Sequence, residues 1–141
     1  MILLMVMKME DKCIEEILKG VNMGILGIEH VVDKIENTSL RKVVLKQKKE
    51  YESLKERLLN QYPHIEDKKS NLMAEAMIEM KSMFASDGEI VKMLMQGCNM
   101  SVISMTEVIH KLDFVDTKLR MLADDLEDIS KNYEEQLKVY L

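Results

Sequence analysis

The feature that most constrains this chain is an apolar pattern, stepping by threes and fours, that recurs in four long stretches between Ile14 and Leu137. That period puts one apolar stripe on a helix and does not fit the two-residue repeat of a strand. The first stretch, about Glu10 to Ile35, carries Ile14, Leu18, Val21, Ile25, Ile28, Val32 and Ile35. A second, from Ser39 to about Gln61, carries Leu40, Val43, Val44, Gln47, Tyr51, Leu54 and Leu58. The third, from Ser86 to about Leu112, has Val91, Met95, Cys98, Val102, Met105, Ile109 and Leu112. The fourth, after Asp116, has Leu119, Leu122, Ala123, Leu126, Tyr133 and Leu137.

The punctuation agrees with this division. Asn37-Thr38-Ser39 ends the first helix and offers caps for the second. The only proline, Pro63, closes the first hairpin and disfavours helix at Tyr62. Ser86-Asp87-Gly88-Glu89 reads as a cap and helix start. Between Pro63 and Asp87 lies a crossover with a short methionine-rich helix over Leu72, Met73, Ala76, Met77, Met80, Met83 and Phe84. Five glycines, no tryptophan and 14 methionines leave little turn chemistry and supply pliable helix formers. The expected fold is all-α, a four-helix bundle forming one domain from residue 9 to 141.

The opening residues, Met1 to Met7, are all apolar, but they lack a basic lead and a small-residue cleavage site. The run is far too short to span a bilayer. We read residues 1–8 as a disordered or frayed extension, with Met9 as the natural start of translation. A formal charge of −5 argues against nucleic acid and against an anionic membrane surface, since both need a basic face. Cys13 and Cys98 form no spaced framework, which fits a reducing, cytoplasmic setting and packed, inert thiols.

The chain also repeats itself. Gly20-Val21-Asn22-Met23-Gly24-Ile25-Leu26-Gly27-Ile28 aligns with Gly97-Cys98-Asn99-Met100-Ser101-Val102-Ile103-Ser104-Met105, and the second helix aligns with the fourth. This is a duplicated helical hairpin. Two hairpins joined by a long crossover have the connectivity of ferritin-like bundles. The chain resembles that superfamily, and is most similar to a small bacterial branch with a Gly-x-Asn-Met stretch in its first and penultimate long helices.

The resemblance implies a dimetal centre built from inward glutamates and a Glu-x-x-His on the second helix of each hairpin. The one such string, Glu107-Val108-Ile109-His110, matches His30-Val31-Val32-Asp33 at the duplicated position. With Val21 at zero on the helical wheel and the seam near 20°, His30 falls at about 180° and Asp33 at about 120°. The string is also on the first helix of its hairpin. A core metal site is therefore not expected, and His30, Asp33, Glu107 and His110 remain surface candidates only. His64 has no clustered partner. No phosphate loop, dinucleotide fingerprint or nucleophile elbow occurs. We expect no catalytic residue and no cofactor.

Two features exceed what a plain bundle needs. Gly20, Gly24 and Gly27, mirrored by Gly97, Ser101 and Ser104, suggest close approach of the first and third long helices. Met23 and Leu26 lie opposite the seam at about 200° and 140°, and Met100 and Ile103 match them. A helix apolar on every side is covered on every side. One crossover helix cannot cover both patches, so these four residues are the expected interface of a homodimer, or the site of a protein partner. Helix two is basic and the C-terminal segment acidic, which reads as two faces balancing within the bundle. The expected function is a non-catalytic bundle that self-associates or binds protein. The alternatives are a divergent ferritin-like metal or redox protein and a carrier of small apolar ligands.

Overall fold

A computed structural model describes residues 2–69, 86–112 and 114–141. Among these, every regular element is helical. Helix α1 spans Ile2–Val31 and is followed by a 3-10 turn at Val32–Lys34; α2 spans Thr38–Gln61, α3 Asp87–His110 and α4 Thr117–Lys138. The short helix expected over residues 72–84 lies outside the described residues.

Local chemistry sets the boundaries. The Asn37 side chain accepts a hydrogen bond from Leu40 N at 3.1 Å and caps α2. Ser86 Oγ accepts from Glu89 N at 3.3 Å and caps α3. Tyr62 leaves helical geometry at φ −126° and ψ 68°, as the following proline requires. The first helix ends four residues short of the expected Ile35. There the chain tightens so that Ile35, 1 % exposed, still reaches the core while its carbonyl accepts from the Arg41 side chain. Residues 2–8, within the extension read as disordered or frayed, are helical and continue α1, with Ile2 80 % and Leu3 73 % accessible.

Contacts between named residues fix the topology. Gly20 meets Ser101, and the α1–α2 turn meets Asp87, whose carboxylate accepts from Glu36 N and Asn37 N at 2.9 Å each. Helix α3 therefore starts where α1 ends and runs antiparallel to it. Arg57 pairs with Asp125 at 2.7 Å, and Tyr51 packs on Tyr133, so α4 is antiparallel to α2. Consequently α2 and α3 run parallel. In cross-section α1 and α4 each adjoin both α2 and α3.

The return path begins within the described residues. Beyond Tyr62 the chain climbs along α1: His64 pairs with Asp11 at 2.9 Å, Asp67 accepts from Asn22 Nδ2 at 2.9 Å, and Lys69 reaches Glu29 at 3.4 Å. Lys55 of α2 closes on Asp67 at 2.7 Å. Burial alone would raise the Asp67 carboxyl, but hydrogen bonds from Lys55 and Asn22, the Lys55 charge and the Lys69 amide together hold it below its ordinary value.

The core is one apolar cluster drawn from all four helices and Ile65. Every expected stripe residue of α4 is buried, and all of α2 except half-buried Val43. Helix α1 buries a wider arc than expected, adding Cys13, Ile17, Leu26 and Val31. On α3 the buried line turns toward Ile90 and Leu94, leaving Met95 and Val102 only half-buried. The inward repeat holds nonetheless, since Ile14, Ile17, Val21 and Ile28 correspond to Val91, Leu94, Cys98 and Met105 and all are buried.

Candidate functional site

The middle of the bundle is polar. Gln47 and Tyr51 from α2, Cys98 from α3, and Ser130 and Tyr133 from α4 are each at most 6 % exposed. All five occupy stripe positions, so the helical period that builds the core also collects them there. The Tyr51 hydroxyl and the Cys98 thiol share a hydrogen bond at 3.2 Å. The Tyr51 and Tyr133 rings meet edge to face, with centroids 6.5 Å apart and planes at 89°. Gly24 makes room for this arrangement, because a Cβ there would lie 2.5 Å from Tyr51 Cε2.

Every titratable member of the cluster is held neutral. Burial pushes the Cys98 thiol up to about 11, partly opposed by the Tyr51 hydrogen bond. Burial also drives both phenols well above their usual value, and the neighbouring Cys98 adds to the shift in each. Hydrogen bonds from the Gln47 and Ser130 side chains act in the opposite direction on Tyr51. A protonated thiol with no base beside it is a poor nucleophile. The Tyr133 hydroxyl is buried without a hydrogen-bond partner among the described residues.

The metal set implied by the ferritin-like resemblance does not fit these residues. Among the described residues no Asp, Glu or His is buried, and no three His, Cys, Asp or Glu side chains form a group that could hold a metal ion. His30 and Asp33 stand at the α1–α2 end of the bundle, whereas Glu107 and His110 stand at the opposite end of antiparallel α3. About fifteen residues of helix, roughly 22 Å, separate the two pairs, so one chain cannot bring all four to one ion. His30 is half-buried with Nε2 unpaired; Asp33, Glu107 and His110 are exposed.

The four outward apolar residues divide by hairpin. Leu26 is fully buried within the chain and has no surface to offer an interface, and Met23 is half-buried. Their duplicates differ: Met100 is 67 % and Ile103 49 % exposed. The polar neighbours divide the same way, Asn22 being 1 % exposed and held by Asp67, Asn99 being exposed.

No family model, no curated protein and no solved structure matches the chain. No described helix is long and apolar enough to cross a membrane.

The glycines sort by neighbour rather than by stripe. Gly20 packs on Ser101, whose Cβ would be 3.1 Å from an added methyl, as close approach of α1 and α3 requires. Gly24 faces α2 instead, through the Tyr51 ring. An added Cβ at Gly97 would meet nothing within 4 Å among the described residues. The polar cluster went unassembled at the level of sequence, although each member sits on a stripe where an apolar residue is the norm.

Proposed function

We propose that this protein is a non-catalytic helical bundle that acts by association, its first partner being a second copy of itself. The observation that carries this reading is the unequal cover of duplicated surfaces. Leu26 of α1 is buried by its own chain, while Met100 and Ile103 of α3 face solvent. Apolar residues repeated on an outer face and left open mark an interaction surface.

Gly97 supports a helix as the occupant. It costs about 1 kcal/mol relative to alanine within a helix, and none of the described residues lies within 4 Å of where a side chain would stand. Gly97, Met100 and Ser104 lie along one line of α3 at steps of three and four. An antiparallel crossing of two α3 helices there would present the same patch from both subunits, the simplest closed symmetry. The helical residues 2–9, with six exposed apolar side chains past the end of α3, add a second surface of the same kind.

Charge plays an internal part. The basic α2 and acidic α4 are neighbours, joined by the Arg57–Asp125 pair, so each balances the other within the bundle. The test is substitution of the patch. Met100→Glu with Ile103→Glu is expected to give monomers with unchanged helicity, because both sites are exposed and outside the core. Persistence of the wild-type assembly in that variant would contradict the reading.

A second reading, a divergent ferritin-like metal or redox protein, draws support from the parallel α2 and α3 and from the returning segment after Tyr62. Metal analysis of untagged protein tests it. Stoichiometric metal lost on His30→Ala or His110→Ala would favour it over the first.

A further inference from the structure

We propose that the outer face where α3 borders α4 docks a non-helical segment of another polypeptide, one carrying an apolar residue and, two positions on, a lysine or arginine. The duplication supplies the argument, because the matching face of the first hairpin is already occupied by the chain's own segment after Tyr62. There Ile65 is buried, while Asp67 accepts from Asn22 of α1 at 2.9 Å and pairs with Lys55 of α2 at 2.7 Å. Leu18, Asn22 and Ile25, beside which that segment runs, are 3, 1 and 2 % exposed.

The second hairpin repeats the face and, among the described residues, lacks the occupant. Met95, Asn99 and Val102 stand at the duplicated positions; the two apolar side chains are half-buried and Asn99 is exposed. Ile103, the duplicate of fully buried Leu26, is 49 % exposed. With Cys98 at zero on the helical wheel, Asn99 falls at about 100° and Ile103 at about 140°. That is the flank on which α1 meets α2 through Glu29 and Lys48 at 3.7 Å. Gly97, Met100 and Ser104 centre at about 230°, so the docking face is separate from the self-association line.

Charge names the occupant. Leu54 aligns with Tyr133 and Leu58 with Leu137, which sets Glu134 of α4 where the first hairpin has Lys55. Glu134 borders this face, since its charge acts on the thiol of Cys98, next to Asn99. The described ion pairs of α4 fall instead on Asp125, Glu127 and Glu135. An amide beside a lysine receives a carboxylate, as Asn22 and Lys55 do. An amide beside a glutamate receives a cation, which bonds the amide oxygen and the carboxylate together. Among the described residues no non-helical segment of this chain presents such a cation free of its own contacts, so the occupant is a different polypeptide.

The test uses the full chain and two synthetic peptides, residues 62–69 as they stand and the same segment with Asp67→Lys. Each is titrated to millimolar concentration against isotope-labelled protein, with NMR shifts read at the Asn99 side-chain amide and the Ile103 methyl groups. The lysine peptide is expected to move both signals saturably and to bind about fivefold or more tightly than the native peptide. In Glu134→Lys the preference reverses; in Glu134→Gln, which keeps the side chain's shape, it disappears. No saturable shift with the lysine peptide, equal affinity of the two peptides for the wild-type chain, or an unchanged preference in both variants overturns the proposal.

Discussion

Gly24→Ala combined with Tyr51→Leu gives a quantitative test of how the core is assembled. In the native chain a methyl at position 24 would stand 2.5 Å from Tyr51 Cε2 and 2.9 Å from Cδ2 and Cζ. Ordinary carbon contacts are about 3.5–4.0 Å, so the ring would have to move by roughly 1 Å. It is not free to do so, being hydrogen-bonded to Cys98 at 3.2 Å and stacked edge-on against Tyr133. Overpacking of this kind costs about 1–3 kcal/mol. Alanine returns about 1 kcal/mol of helix propensity, leaving a net loss of up to about 2 kcal/mol. In the Tyr51→Leu background the ring is gone and only the propensity gain of about 1 kcal/mol remains. The cycle therefore predicts a coupling of about 1–3 kcal/mol, measured by urea denaturation of the four proteins. Tyr51→Phe serves as control, because it keeps the ring and should keep the penalty. An equal effect of Gly24→Ala in both backgrounds would refute the steric argument.

Other expectations follow from the polar contacts. Asp67 is held below its ordinary pKa in the fold, so its contribution is present above about pH 4 and is lost as pH falls through its folded value. Asp67→Asn should be less stable than wild type at pH 7 and converge on it in acid; a constant difference from pH 7 to pH 2 would contradict this. Burial raises the thiols of Cys13 and Cys98 to about 11. Both should label slowly with an aromatic disulfide reagent at pH 8 and rapidly in denaturant, and labelling of native protein within seconds would show one to be accessible. The half-exposed Arg57–Asp125 pair should couple by only about 0.2–1 kcal/mol in a double-mutant cycle. A much larger value would mean that charge holds α2 to α4.

The sequence was most informative where one face of a helix does one job. The α2 and α4 stripes are legible because the outer faces of both helices are polar, and Asn37 and Ser86 cap where short polar side chains before an apolar period should. Helix α1 was harder to read. Its burial at Asn22 goes with the Asp67 that the chain brings to it after Tyr62, and periodicity carries no record of that. The same limit explains α3, where Met95 and Val102 keep the period but not the cover. Gly24 shows a different one. A glycine signals that something comes close, but not whether a backbone or a tyrosine ring does so. For the metal candidates, the wheel sets His30 and Glu107 off the seam, while only the antiparallel pairing of α1 and α3 places them at opposite ends. The polar cluster was visible residue by residue, since Gln47, Tyr51, Cys98 and Tyr133 all lie on stripes; its assembly around Tyr51 needed the register between helices.

Association through the open α3 face is tested most directly by sedimentation equilibrium of the wild-type chain over a series of concentrations reaching tens of micromolar. The account predicts a mass of about 33 kDa, twice the 16.4 kDa of one chain, falling to a single chain's mass in the Met100→Glu, Ile103→Glu variant. A wild-type chain that stays at 16.4 kDa throughout would contradict it.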